Sequence, residues 1–330
     1  MVSEVMPGIY MIALPFPRRR VKSIDEIKLY VIKGKDGERD LLLDTGLNEE
    51  QYHELLKKDF EEIGLDLTKT DIFMTHMHDD HSGLLEKLKI PENKVYAVEK
   101  EAIAVNALRT DEYWRARHQR YLKEGLPMDY EEFLASHPNC AYLCSIPIDF
   151  TIVKEGDEFD IGDYHFRIIL TPGHSPQHAC LYDEEKKLLL SGDVVLTNAA
   201  PVLFFEEGLD NPLGEYLHSL DIVEKLDIET ILPCHAEIKF DVYKRIGEMR
   251  EHYEKKCQRV LGLLRDEGPM SAWHMAEYTI KDDIPRELMS LSGVSRWFFF
   301  LPTCMTLRYL TELGKIKCSP DDNGVNIYSL

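Results

Sequence analysis

The 330-residue sequence predicts an α/β protein. Three observations carry that prediction. Short apolar runs with strand character alternate with amphipathic helical runs over roughly the first 240 residues, the pattern of a layered α/β architecture. Several of the strand-like runs end in turns containing Gly or Pro beside a His or Asp, and binding sites collect where strand ends meet in such folds. Beyond about residue 240 the rhythm changes to helices followed by a hairpin.

Taken in order, residues 8–14, 27–32 and 41–44 read as strands, with Lys35-Asp36-Gly37 as a hairpin turn. Residues 49–64 read as a helix with Tyr52, Leu55, Leu56, Phe60 and Ile63 on one face. The apolar run Ile72-Phe73-Met74-Thr75 is a further strand, Leu84, Leu85 and Leu88 begin a helix, and Val95-Tyr96-Ala97-Val98 is another strand. Residues 99–136 break the alternation. Three helical stretches, 100–108, 111–124 and 129–134, make an insert of about 99–146 that is long for a connection between strands. Such insertions often cover a site, and a surface decoration is the alternative. Strands return at 150–153, 164–170, 179–182 and 187–190, followed by a helix over 214–225 and a short strand at 231–232. In the C-terminal part, helices are expected at 242–264, 272–278 and 303–313, then a hairpin around Asp321-Asp322-Asn323-Gly324. Three helices and a hairpin describe a winged-helix-like module over 241–330, separate from a catalytic unit over 1–240. Its helices carry no basic stripe, so dimerisation or covering the site is preferred to DNA reading.

The formal net charge is −20, and the excess acid lies in residues 1–240, since 241–330 holds 13 basic and 13 acidic residues. That balance disfavours nucleic acid, a polyanion, as the main partner. The seven cysteines form no CxxC pair and no secretory signal is read, so free thiols and a cytoplasmic setting are expected. No apolar run approaches the length of a membrane span. Arg18, Arg19 and Arg20 could receive an anionic substrate, although a solvated loop is the ordinary fate of such a cluster.

The chemistry concentrates in Thr75-His76-Met77-His78-Asp79-Asp80-His81. At an extended strand end alternate side chains point the same way, so His76 and His78 can converge on one ion. After the turn Asp80 and His81 can face a second. His174 after Pro172-Gly173, Asp193 after Ser191-Gly192, and His235 after Pro233-Cys234 place more candidate ligands at strand ends, and Asp44 closes an early strand before Thr45-Gly46. Imidazole with carboxylate suits zinc, and also iron or manganese. His178, four residues after His174, reads as a hydrogen-bonding support for a ligand. Cys180 and Cys234 read as buried small apolar residues. His53, His118, His137, His165, His218, His252 and His274 lack partner spacing, and Trp114, Tyr121 and Tyr130 are expected to pack within the insert.

These motifs, matched in order across residues 1–240, resemble the metallo-β-lactamase fold superfamily of hydrolases. The runs 173–182 and 211–217 further resemble its glyoxalase-II-like bacterial members with a C-terminal winged-helix-like domain. The resemblance implies a four-layer αββα sandwich. It implies one metal held by His76, His78 and His174, a second by Asp80, His81 and His235, Asp193 bridging, and Asp44 supporting the site from behind. The expected cofactors are therefore two divalent metal ions, zinc first, with a shared water ionised near pH ~7. That hydroxide would attack a small thioester, ester or lactone, with Asp80 handling protons. A phosphodiesterase or ribonuclease, a mononuclear iron oxygenase, and a non-catalytic metal-stabilised binding protein are the rival readings. A small-molecule substrate and a homodimer are the expected partners. No Gly-x-Ser-x-Gly elbow, phosphate loop or dinucleotide fingerprint supports another chemistry.

Overall fold

Period-two alternation along the strands sorts their apolar side chains onto two faces, and that sorting makes the layers. The structure, a computed structural model, describes residues 1–16, 25–197, 199–283, 288–291 and 293–330. Strands β1 (Val2–Met6), β2 (Ile9–Pro15), β3 (Glu26–Ile32) and β4 (Asp40–Leu43) form an antiparallel meander. Helix α1 (Glu50–Glu62) then leads to β5 (Thr70–Phe73), which lies parallel to β4. The short helices α2 (Asp79–Ser82) and α3 (Leu85–Leu88) precede β6 (Val95–Val98), and the insert folds as α4 (Glu99–Leu108), α5 (Asp111–Lys123) and α6 (Tyr130–Ser136). Strand β7 (Thr151–Val153) completes a seven-stranded sheet in sequence order. A second, five-stranded sheet has the order β12-β11-β10-β9-β8. Its strands are β8 (Glu158–Ile161), β9 (Tyr164–Leu170), β10 (Ala179–Asp183), β11 (Leu188–Gly192) and β12 (Thr230–Pro233), and α7 (Pro212–Glu224) crosses between the last two.

Tyr30 and Ile32 of β3, with Leu41 and Leu43 of β4, meet Phe166 and Ile168 of β9 and Leu188 and Leu190 of β11 in the core between the sheets. The residues between them face outward. Leu29, Val31 and Leu42 join Tyr52, Leu56 and Phe60 of α1, while Leu189 and Ile231 join Leu213, Tyr216 and Leu220 of α7. Helix, sheet, sheet and helix thus form the four layers expected.

The C-terminal part consists of α8 (Val242–Asp266), α9 (Ala272–Asp283), α10 (Gly293–Glu312) and the hairpin β13 (Lys317–Pro320) with β14 (Asn326–Ser329). Helix α10 starts ten residues earlier than the sequence suggested, because the chain carries Pro302 inside the helix rather than stopping there. The run Trp297 to Leu301 is apolar on every side, so no amphipathic period announced it. Strands β1 and β8 were also missed, being sheet-edge segments with mixed exposure. Leu55 is 39% exposed and lies off the buried face of α1.

Residues 241–330 share their core with the insert. Trp297 packs edge-on against Tyr121 and Phe133, its Nε1 donates to Ser136 Oγ at 3.2 Å, and Phe300 lies against Trp273. One apolar cluster runs from the first sheet through the insert into α8, α9 and α10. Among the described residues no helix is long and apolar enough to cross a membrane. Trp297→Ala, which empties a site only 1% exposed, is expected to cost about 3–5 kcal/mol of stability, measured by denaturant unfolding.

Candidate metal centre

Asp44 follows β4 with φ +60°, in the left-handed region that Asp tolerates better than most residues. Its side chain is fully buried. Oδ1 accepts the Thr75 backbone N–H at 2.8 Å, and Oδ2 accepts Thr75 Oγ1 and His81 Nδ1, both at 2.8 Å. Thr75 Oγ1, its own proton committed to Asp44, accepts from His76 Nδ1 at 3.0 Å. His174 Nδ1 donates to the Val202 carbonyl and His235 Nδ1 to the Glu26 carbonyl, both at 2.9 Å. Each of these four rings therefore carries its proton on Nδ1 and presents the Nε2 lone pair inward. His78 is reversed, offering Nδ1.

The inward nitrogens converge. His76 Nε2, His78 Nδ1 and His174 Nε2 lie 3.0, 3.0 and 3.2 Å apart, close to the roughly 3.3 Å that tetrahedral zinc–nitrogen bonds impose. Asp80, His81 and His235 form a second group beside the first, with His235 Nε2 3.2 Å from Asp80 Oδ2 and His81 Nε2 3.7 Å from Asp80 Oδ1. Asp193 Oδ2 stands between the groups, 3.5 Å from His174 Nε2, 3.6 Å from His81 Nε2 and 3.5 Å from His235 Nε2. His81 Nε2 and Asp193 Oδ1 are buried without a protein partner, as unsaturated donors to a cation would be. The residue types and spacings fit divalent metal ions. All seven residues named from the sequence as ligands are thus brought together, with Asp44 and His178 behind them.

Close backbone contacts hold the loops. His178 Nδ1 bonds Thr171 Oγ1 at 2.7 Å, so its Nε2 accepts the Asp193 backbone N–H at 3.0 Å. Gly192, at φ +49°, leaves room for that ring, since a Cβ there would stand 2.5 Å from His178 Nε2. Lys28, 3% exposed, donates Nζ to the Ala236 carbonyl and pairs with Glu26 at 2.7 Å, steadying the turn at His235. Glu101 was not singled out in the sequence, where Glu99-Lys100-Glu101 looks like a solvated helix start. Its buried carboxylate accepts from Met77 N at 2.8 Å, Ser175 Oγ at 2.7 Å and Gln177 N at 2.6 Å, joining the His76–His78 loop to the His174 loop.

Burial sets the electrostatics and charge partners adjust it. Burial drives His76 and His78 well below the usual imidazole range, and neighbouring imidazoles add to the effect. Burial also opposes charge on His81, but Asp44, Asp80 and Asp193 together hold its pKa well above the ordinary value. His235 is raised in the same way by Asp193 and Asp80 against burial. Burial would raise Asp80 and Asp193, yet the adjacent imidazoles keep both ionised. Burial lowers His178 to about 3, so it stays neutral, and pushes Glu101 up to about 7.

A cavity of about 180 Å³ opens over the cluster. Its apolar walls include Phe16, Leu196, Pro201, Val202, Phe204 and Phe298, and the insert adds Pro138 and Asn139. Among the described residues its lining holds no Lys or Arg. The insert and α10 therefore both cover the site. Trp114, Tyr121 and Tyr130 do not line this cavity and pack in or against the core. Cys180 and Cys234 are buried and unbridged. Arg18, Arg19 and Arg20 lie outside the described residues.

A family model described as the metallo-beta-lactamase superfamily matches residues 27–235. A Bacillus subtilis protein named "Probable metallo-hydrolase YqjP" is 26% identical over 81% of this chain and 84% of its own. A Gallus gallus protein named "Acyl-coenzyme A thioesterase MBLAC2" is 25% identical over 73% of this chain and 84% of its own. The crystal structure of a metallo-beta-lactamase family protein from Thermus thermophilus superposes with a TM-score of 0.80 at 26% identity, covering 99% of both chains.

Asp44→Ala frees His81 and Thr75 together, and a 10- to 100-fold loss of metal affinity, roughly the range for lost outer supports, is expected in chelator competition. Protons compete with metal for His81 and His235 Nε2. Because both pKa values are raised, affinity should climb as pH rises through the range where these imidazolium groups deprotonate, and metal binding should release protons. Calorimetry in buffers of different ionisation enthalpy reads that release directly.

Proposed function

The chain belongs to the metallo-β-lactamase superfamily and is a metal-dependent hydrolase, and from that premise we propose that it hydrolyses small thioesters, esters or lactones with an apolar acyl group, using two divalent cations, zinc foremost. The observation that carries this reading is the pairing of two donor groups around Asp193 with an apolar cavity that has no cationic lining among the described residues. A phosphodiester or nucleotide would also bring negative charge beyond the donor groups, to walls that among the described residues offer no Lys or Arg to receive it. A thioester carbonyl brings none. The name of the thioesterase relative supports the same choice.

His76, His78 and His174 would hold one cation and Asp80, His81 and His235 the other, with Asp193 between them. When bound, such cations supply Lewis acidity and a water of lowered pKa. The residues of the chain do the rest. Asp80 is ionised and faces the cavity, 14% exposed at its side chain, so it enters the reaction as a proton acceptor. It takes a proton from the attacking water as the new C–O bond forms. The C–S or C–O bond to the leaving group breaks, and that group departs with the proton Asp80 returns. The apolar walls lower the local dielectric and strengthen every charge interaction at the reacting carbon.

Metal analysis of the purified protein, coupled to a panel of thioesters, lactones and phosphodiesters, tests the reading. Two metals per chain with acyl-bond turnover is the expected result. Turnover of phosphodiesters alone, or one iron per chain without hydrolysis, would overturn it. Asp193→Ala should lower the metal content by at least one ion per chain, and an unchanged content would remove Asp193 from its position between the cations.

A further inference from the structure

Among the described residues the cavity lining contains one polar side chain that belongs neither to the donor groups nor to their own loop. It is Asn139, contributed by the insert just after α6. Asn139 is 7% exposed, and its Nδ2 is buried with no hydrogen-bond partner in the protein. A buried amide donor left unpaired is costly, and native structures keep few. Its surroundings are fixed rather than loose. The Asn139 backbone N–H donates to His137 Nδ1 at 3.2 Å, and the His137 ring lies 4.9 Å from Trp297 and 5.7 Å from Phe204. Pro138 stiffens the link between them. His78 Nε2 is another buried nitrogen at the cavity without a partner, but its ring is committed to the cluster through Nδ1. Asn139 thus lines the chamber from a stiff backbone with its Nδ2 tucked behind the lining, and among the described residues the other polar groups there are His and Asp.

We propose that the Asn139 carboxamide, by a half-turn about Cβ–Cγ that brings Nδ2 from its buried, unpartnered position to the chamber, donates a hydrogen bond to the acyl carbonyl oxygen of the bound substrate, which makes it a catalytic residue supplied by the insert. The proposal rests on the acyl-hydrolase reading above. A carboxamide N–H selects an oxygen acceptor, the apolar walls take the acyl chain, and the carbonyl is the one acceptor such a substrate brings to this depth. As water adds to the carbonyl carbon the oxygen gains negative charge, so the hydrogen bond strengthens toward the transition state.

The test uses the full chain loaded with zinc, S-octanoyl-N-acetylcysteamine as substrate and octanoate as product ligand. Asn139→Leu keeps the bulk and removes the donor. Asn139→Asp keeps the shape and replaces the donor with an acceptor. Both are expected to lower kcat by about 100-fold or more, the scale for removing one oxyanion donor, with KM, metal content and melting temperature near wild type. Octanoate should bind about tenfold more weakly to Asn139→Leu, read by calorimetry. Unchanged kcat in Asn139→Leu would overturn the proposal, and so would a fall in kcat that tracks lost metal in both variants, which would make Asn139 a brace for the loop. Should the wild type fail to turn over any acyl substrate, the acyl-hydrolase reading falls, while octanoate binding still decides the residue: equal affinity in wild type and Asn139→Leu would sink it.

Discussion

The Asp44 carboxylate is the interaction on which the site depends. Buried, and set on a left-handed backbone, it binds the Thr75 backbone and hydroxyl and the His81 imidazole at once. Through Thr75 it also reaches His76. One side chain thereby fixes the tautomer of a histidine in each of the two donor groups. A carboxylate buried this deeply would be expensive alone; four donors around it, counting the Cys234 thiol at 3.4 Å, offset that cost.

The two sheets make this arrangement possible. Parallel pairing of β4 with β5, and of β11 with β12, delivers Asp44 and Thr75 from one sheet and Asp193 and His235 from the other to the same edge of the sandwich. The apolar residues between the sheets set their separation. Side chains from β3 then reach across it, with Tyr30 Oη donating to the Pro233 carbonyl at 2.7 Å and Lys28 reaching Ala236. Ligand geometry is therefore a property of sheet packing as much as of the loops. Glu101 adds the remaining tie, from the first helix of the insert to both histidine loops.

Much of this was legible in the sequence because it rests on local signals. His76, His78, Asp80 and His81 are dense in one run, and His174, Asp193 and His235 each follow an apolar strand and a Gly or Pro. The apolar runs of β3, β4 and β11 likewise announced strands. What escaped has a physical reason in each case. Glu101 carries no spacing to a partner, because its partners Met77, Ser175 and Gln177 lie on distant segments and burial is what gives it meaning. Phe298 joined the cavity only because α10 runs through Pro302, where local rules place a stop. Edge strands β1 and β8 hide for the opposite reason, since a half-exposed strand need not look apolar.

Helix α10 sets neighbouring residues to different tasks. Trp297 is buried against Tyr121, Phe133 and His137, while Phe298 stands on the cavity wall. The wall that meets the substrate and the core that holds the fold are thus consecutive links of one rigid rod. A substitution that resizes the chamber at α10 acts on a helix that also anchors the insert. Selection for a new substrate would have to proceed through changes that the aromatic core tolerates. The loop residues Leu196, Pro201 and Val202 line the chamber from outside any helix or strand, and the ties this loop makes to His174, Arg245 and Tyr253 run through its main-chain carbonyls and leave its side chains uncommitted to them. Diversification of substrate range within this architecture should therefore be written first in that loop, with α10 as its constant backdrop.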